Sequence, residues 1–287
     1  MQWRARREAF RALLNGDKCI HPASVFDPLS ARIAEHLGFE VGLLAGSTAS
    51  LTVLGAPDLI VLTATEFASQ AHRINRAMSL PLLVDADHGY GNALNVARTI
   101  EELTTVGVSA ASIEDTNLPM PYAADKAPAL ISIEEGVGKM RAALAARPDS
   151  SFCVVGRTSA PVLSDIDDTV KRMRAYEQAG VDALFIVGLK SQAQLAAVSG
   201  TTTLPLILGN IGGDLVGADL AAHRVRIALQ GHATIMAAVQ AVYDTMKALR
   251  DGTKPSDLKN VAPGELMKTL TRAADYDKAT RDYLAGG

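Results

Sequence analysis

The sequence predicts an α/β protein built as a (β/α)8 TIM-type barrel, and three observations lead there. Short apolar runs recur along the 287 residues, each followed by polar or glycine residues and then a longer amphipathic segment. The runs are apolar on both faces, as expected of parallel strands covered by helices on either side. About eight such units fit into one chain of this length, which favours a closed barrel. A doubly wound open sheet is the alternative, because hydrophobic periodicity does not report closure.

Taken in order, residues 1–18 place their apolar side chains at helical spacing and predict an N-terminal helix. They lack the uninterrupted apolar core of a signal peptide. Strands are predicted at PASVF (22–26), VGLLAG (41–46), PLLVDA (81–86), AASIE (110–114), FCVVG (152–156), ALFIVG (183–188), PLILG (205–209) and RIALQ (226–230). Helices are predicted at PLSARIAEHLG, ALNVARTIEELTTVG, SIEEGVGKMRAALAAR, DIDDTVKRMRAYEQAG and SQAQLAAVSG. Several close on glycine, a helix C-terminal signal. Residues 233–287 predict a C-terminal helical segment with little barrel surface left to cover, so it is expected to pack on another subunit. No linker, repeat or low-complexity stretch divides the chain, and residues 1–287 are read as one domain.

Composition narrows the partners. Hydrophobic residues make up 48% and charged residues 21%, as in a globular protein. The net charge of −3 balances 28 basic against 31 acidic residues. Neither a nucleic-acid footprint nor a membrane-surface patch is expected from that balance, and a small molecule becomes the expected partner. No stretch reaches the ~20 apolar residues of a membrane span. Cys19 and Cys153 show neither CxxC spacing nor a neighbouring histidine, so they read as two buried free thiols in a cytoplasmic protein.

In a barrel of this kind, chemistry sits at the C-terminal ends of the strands. The second predicted strand ends at Gly46 and Ser47, the third at Asp85 and Asp87, the fourth at Glu114, the fifth at Arg157, the seventh at Asn210 and the eighth at His232. Asp58 lies in the loop between the second and third. Carboxylates converging on one point repel unless a cation is present, and oxygen donors without a thiolate suit Mg²⁺ or Mn²⁺ rather than zinc. Mg²⁺ retains several waters, so one direct ligand is expected, with Asp85 nearest the strand. The competing reading is that Asp85 and Asp87 cap the following helix and brace its loop. Arg157 is expected to grip a substrate carboxylate or an oxyanion, or else to form a structural ion pair. His232 is expected either to face the site or to be a satisfied polar core residue. Gly89 and Gly91 let the loop turn near the site, since GYGNAL lacks the third glycine of a dinucleotide fingerprint.

The segments FDPLSARIAEHLGFEVGLLAGSTAS, LPLLVDADHGYGN, SIEDTNLP, SIEEGVGKMRAAL, GRTSA and LQGHA resemble the phosphoenolpyruvate mutase/isocitrate lyase superfamily over nearly the whole chain. Within it, the sequence is most similar to the oxaloacetate decarboxylase branch. The resemblance implies a (β/α)8 barrel whose C-terminal helix is exchanged between subunits of a dimer or tetramer. It also implies Mg²⁺ and a small 2-oxo acid substrate. Carried over by position, Asp85 would bind the metal directly, and Asp58, Asp87 and Glu114 would hold it through water. Ser47 and the amides beside it, including Gly46, would hold the substrate C1 carboxylate, and Arg157 and His232 would contact the rest.

The resemblance implies a Mg²⁺-dependent lyase that decarboxylates oxaloacetate to pyruvate through a metal-stabilised enolate. The isocitrate and methylisocitrate lyases of the superfamily carry a K-K-C-G-H loop, whereas residues 115–130, DTNLPMPYAADKAPAL, contain no cysteine. Decarboxylation needs no such acid. A phosphonopyruvate or phosphoenolpyruvate-type mutase is an alternative, but the loop offers only Asn117 and Lys126 to a phosphoryl group. A C–C lyase acting on a substituted malate and a non-catalytic 2-oxo acid binder are the others. Two positions differ from the branch: Ile211 stands where a tyrosine is expected, and Ser159 where asparagine is common. Both are expected to alter polar contacts at the site, and the 116–130 loop is a candidate gate.

Overall fold

The computed structural model describes residues 2–122 and 128–284. Its eight strands are β1 (Ala23–Ser24), β2 (Gly42–Ala45), β3 (Leu82–Asp85), β4 (Ala110–Glu114), β5 (Cys153–Thr158), β6 (Ala183–Val187), β7 (Leu206–Gly209) and β8 (Val225–Ala228). They pair in parallel, each with its successor in sequence. Ile20, just ahead of β1, completes the circuit: its N–H donates to Arg226 O, and its carbonyl accepts from Ala228 N, both at 2.9 Å. A doubly wound sheet reverses its strand order at a switch point. The sequential order and the Ile20 closure therefore decide for the barrel.

All eight predicted strands are present, and β4 matches its predicted bounds. β5 runs two residues further than expected, because Arg157 pairs in register with Glu114 and keeps the ladder going. This brings two site residues side by side on neighbouring strands. Alternating side chains along the strands divide the core in two. Leu43, Leu83, Ala110, Val155, Phe185 and Ile207 fill the barrel, and Phe10 and Leu14 of helix α1 (Gln2–Asn15) pack with them. Leu44, Leu82, Val84, Ala111, Ile113 and Val154 face outward and meet the helices.

The helices after β1 to β3 are α2 (Pro28–His36), a short α3 (Gly46–Ala49) that widens into a π-helical turn over Ser50–Leu54, α4 (Ala64–Ala77) and α5 (Ala93–Thr105). Neither α3 nor α4 was expected from the apolar pattern. The signal for α4 was the capping box Thr63-x-x-Glu66, in which Thr63 Oγ1 accepts from Glu66 N and Glu66 Oε2 accepts from Thr63 N. Then follow α6 (Ile133–Ala146), a short α7 (Ala160–Leu163), α8 (Ile166–Ala179) and α9 (Gln192–Ser199).

The C-terminal segment comprises α10 (Ala233–Arg250), α11 (Gly264–Leu270) and α12 (Ala273–Tyr283). Part of it returns to its own barrel. Leu270 is buried, Arg32 donates to its carbonyl at 3.2 Å, and Arg272 pairs with Glu35 of α2 at 2.7 Å. Among the described residues, α10 buries Ile235 alone, while Met236, Val239, Val242, Tyr243 and Met246 are exposed. Cys153 is fully buried, as expected, but Cys19 is only half-buried, and both are free thiols. Among the described residues, no helix is long and apolar enough to cross a membrane.

Candidate active site

A cavity of ≈ 370 Å³ opens at the C-terminal ends of the strands. Ser47, Asp58, Asp85, Asp87, Glu114, Arg157 and His232, drawn from five strand ends and two loops, all line it. Gly46 is not part of the wall. It lies beneath Asp87, whose carboxylate would collide with any Cβ placed there. The close packing of that carboxylate on bare backbone is what this glycine provides.

Arg157 sits in the middle of the acidic side. One of its terminal nitrogens bonds Asp85 Oδ2, and the other lies 3.3 Å from Glu114 Oε2. The guanidinium also stacks over the Phe185 ring, 5.3 Å from its centroid. Its Nε is buried and finds no partner among the described residues. Of the two roles expected for Arg157, the ion pair is the one visible in this structure. Both oxygens of Asp85 have a partner, because Ser112 Oγ donates to the other at 2.7 Å, and each keeps a lone pair for a further contact. Thr116 Oγ1 donates to Glu114 Oε2 at 2.9 Å.

The competing expectation for Asp85 and Asp87, that they cap the next helix, is corrected. Asn92 caps α5, its side chain accepting from Leu94 N at 2.9 Å and from Asn95 N at 3.4 Å. Asp87 instead adopts a left-handed backbone with φ 48°, uncommon for a residue with a side chain, and turns its carboxylate into the cavity. His232 is the N-cap residue of α10, and its Nδ1 shares a 2.8 Å hydrogen bond with Ser24 Oγ from the opposite end of the sequence.

The ring holds more negative charge than Arg157 can offset. Burial and the charge of Asp85 raise the Asp58 carboxyl above its ordinary value. Burial, together with Asp85 and Glu114, pushes Asp87 well above the carboxylate range. Burial also raises Glu114, against the pull of Arg157. On Arg157 itself, burial opposes the charged form, but Asp85 and Glu114 outweigh it and fix the guanidinium in its protonated state. Burial lowers His232 below its ordinary value, with Asp85 and Asp58 pulling the other way, which favours a neutral ring.

This donor set fits a hard divalent cation. It consists of carboxylate oxygens around one cavity, with Asp87 seated on a glycine that leaves room for it. Among the described residues, no three acidic, histidine or cysteine side chains form a ready-made cage. An ion that keeps part of its water shell, with one direct protein ligand, needs no such cage.

Beyond Asn210, which stands at the expected end of the seventh strand, the site has contributors that the sequence did not mark. Asn210, left-handed at φ 54°, lines the cavity, whereas Ile211 beside it packs against the outer hydrophobic layer. Ser159 is not on the cavity wall either; its carbonyl accepts from Val162 N and Leu163 N. Leu118, Met120 and Pro128 bring the 116–130 loop over the cavity, and Asn117 N donates to Ala129 O at 2.8 Å across its base. Lys126 lies outside the described residues. The loop base is anchored by Asp115, fully buried, which accepts from Tyr176 OH at 2.7 Å and from Arg172 at 3.1 Å. The same Arg172 nitrogen donates to Ile131 O at 2.9 Å.

Comparison with known proteins places this architecture among relatives. Residues 10–250 match the phosphoenolpyruvate phosphomutase family. The chain is 56% identical over 285 residues to an oxaloacetate decarboxylase of Rhodopseudomonas palustris (strain BisB18), covering 99% of both chains. It is 52% identical over 288 residues to an oxaloacetate decarboxylase of Bradyrhizobium sp. (strain ORS 278), covering 100% of both. Among solved structures, phosphoenolpyruvate phosphomutase from Streptomyces platensis subsp. rosaceus is similar at TM-score 0.85 and 26% identity, over 97% of this chain and 99% of that one. A phosphonopyruvate hydrolase in complex with oxalate and Mg²⁺ is similar at TM-score 0.84 and 29% identity, over 98% and 99%.

Proposed function

The chain belongs to the phosphoenolpyruvate phosphomutase family, and from that premise we propose that it is a divalent-metal-dependent lyase that decarboxylates oxaloacetate to pyruvate and CO₂. The observation that carries the reading is the ring of four carboxylates around one guanidinium at the barrel mouth. The identity of more than half of all residues with oxaloacetate decarboxylases supports the choice of reaction.

In this reading Asp85 would hold the ion directly, and Asp58, Asp87 and Glu114 would hold it through water; Mg²⁺ is the expected ion and Mn²⁺ the expected substitute. When bound, the ion would supply an electron sink for the negative charge left as CO₂ departs. Ser47, at the end of β2 on the cavity wall, binds the C1 carboxylate, while Gly46 acts only by giving room to Asp87. Arg157 offsets negative charge as substrate enters, and its bond to Asp85 orients that carboxylate. His232, neutral and held through Nδ1 by Ser24, presents its ring to the substrate from the far wall. Leu118, Met120, Phe185, Val187 and Leu229 form the apolar part of the cavity. They exclude water from the carboxylate that departs as neutral CO₂. The loop lacks the thiol that retro-aldol cleavage would use, which favours decarboxylation over C–C lysis of a substituted malate.

The exposed face of α10 supports a homo-oligomer with exchanged C-terminal helices, and the free thiols support a cytoplasmic setting. The reaction is tested by following oxaloacetate loss and pyruvate formation with and without Mg²⁺, after subtracting catalysis by the metal alone. Wild type is expected to exceed that background and Asp85→Ala to fall to it. Metal-dependent turnover retained in Asp85→Ala would remove Asp85 from its role, and no wild-type rate above background would remove the reaction.

A further inference from the structure

In the turn that carries Asp87, the four backbone carbonyls from Ala86 to Gly89 are all paired. Ala86 O accepts from Gly89 N at 2.9 Å, Asp87 O from Glu114 N at 2.8 Å, and Gly89 O from Thr99 Oγ1 at 3.1 Å. His88 O accepts from Lys139 Nζ of α6 at 3.0 Å. Lys139 is 3% exposed and lies on the buried face of α6, in the stripe it shares with Gly136, Met140 and Ala143. Three carboxylates act on its charge: Glu135, one turn earlier on α6, which forms no ion pair with it among the described residues, and Glu114 and Asp115, which are paired with Arg157 and Arg172. Burying an ammonium that makes no direct ion pair is costly, and among the described residues its one hydrogen-bond partner is the His88 carbonyl.

That carbonyl belongs to a turn in need of restraint. Asp87 at φ 48° and Tyr90 at φ 62° occupy left-handed conformations that side chains disfavour and that persist only where the surroundings enforce them. Strand β4 and helix α5 hold the turn on two sides, and Lys139 holds it on the third. We infer that Lys139 is a positioning residue: by clamping the His88 carbonyl it fixes the turn that aims Asp87 into the carboxylate ring. The inference rests on reading that ring as a divalent-cation site. A long stem with three rotatable donors lets a lysine reach a carbonyl that no backbone amide reaches.

The sign of one measurement separates positioning from charge. Removing a positive charge near four carboxylates strengthens their pull on a cation. If Lys139 acts only through its charge, Lys139→Met binds Mn²⁺ more tightly. If it positions Asp87, the variant binds Mn²⁺ about tenfold more weakly, and the Gly89 and Glu114 amides exchange with deuterium about tenfold faster while the rest of the barrel stays protected. Calorimetric Mn²⁺ titration and hydrogen-exchange mass spectrometry of the same samples provide both readouts without turnover. Unchanged exchange in Lys139→Met, or equal or tighter Mn²⁺ binding, overturns the inference. Should Lys139→Met fail to fold, Lys139→Gln replaces it under the same criteria: weaker Mn²⁺ binding together with faster exchange at Gly89 and Glu114 supports the clamp, and either effect alone, or neither, overturns it. If wild type binds no Mn²⁺, the cation reading fails, and the exchange data alone decide whether Lys139 holds the turn.

Discussion

At the residue scale, the site depends on close approaches that tolerate no added atom. Gly46 lies under the Asp87 carboxylate, so Gly46→Ala forces that carboxylate away from its place. We expect kcat/KM for oxaloacetate to fall by at least about tenfold while the melting temperature moves by only a few degrees, since the strain is local. Steady-state kinetics beside a thermal melt check this, and unchanged kcat/KM would show that Asp87 need not sit there. Asp115 makes a second prediction. Tyr176→Phe deletes one donor to a buried carboxylate and should cost about 1–3 kcal/mol of stability by denaturant titration. The acidic ring was legible in the sequence because an ionised group at the end of a buried apolar strand is costly to keep unless something compensates its charge. Ser112, Ser24 and Lys139 were not legible. Their partners lie 27, 208 and 51 residues away, and nothing local marks a serine or a helical lysine as buried.

At the scale of elements, the βα loops end in side-chain caps that fix where each helix begins. Asp27, Thr63, Asn92, Ser132, Asp165 and Ser191 each accept a backbone N–H in the first turn of their helix. Asp165 and Asn92 allow a paired test. Asp165→Ala should cost about 1 kcal/mol and leave kcat unchanged, because α8 starts away from the cavity wall. Asn92→Ala should cost a similar ~1 kcal/mol but also lower kcat/KM, because α5 follows the Asp87 turn directly. Equal kinetic effects in the two variants would mean that the cap does not shape the turn. The strands were legible because each is a short apolar run bounded by turn residues. Helix α4 carries its clearest signal in its cap rather than in its stripe. The π-helical turn over 50–54 has no period that a sequence pattern reports.

At the scale of the whole molecule, the exposed stripe of Met236, Val239, Val242, Tyr243 and Met246 predicts that the chain is not a monomer in solution. Light scattering on a size-exclusion column should give a multiple of the mass of one 287-residue chain. The double variant Val239→Lys, Tyr243→Lys should shift it toward a single chain; a wild-type monomer would contradict the expectation. Alkaline stability reports on the barrel interior. Burial, reinforced by Asp182, pushes the Cys153 thiol up to about 12 from 9.0. The folded chain then keeps this proton where the unfolded chain loses it, so the thiol lowers stability as pH rises from about 9 toward 12. Cys153→Ala should flatten that slope in denaturant titrations, and an identical slope would place the thiol in contact with water. Barrel closure itself was not legible, because it rests on Ile20 pairing with a strand some two hundred residues later, a pairing that leaves no local trace. That long-range seam also governs synthesis. A ribosome delivers Ile20 first and β8 near the end, so the nascent chain carries an unsealed edge of β1 through most of translation. Protection of that edge against aggregation must come from outside the ring until the eighth strand emerges, and chains truncated before residue 225 should be captured by chaperones or lost as aggregates.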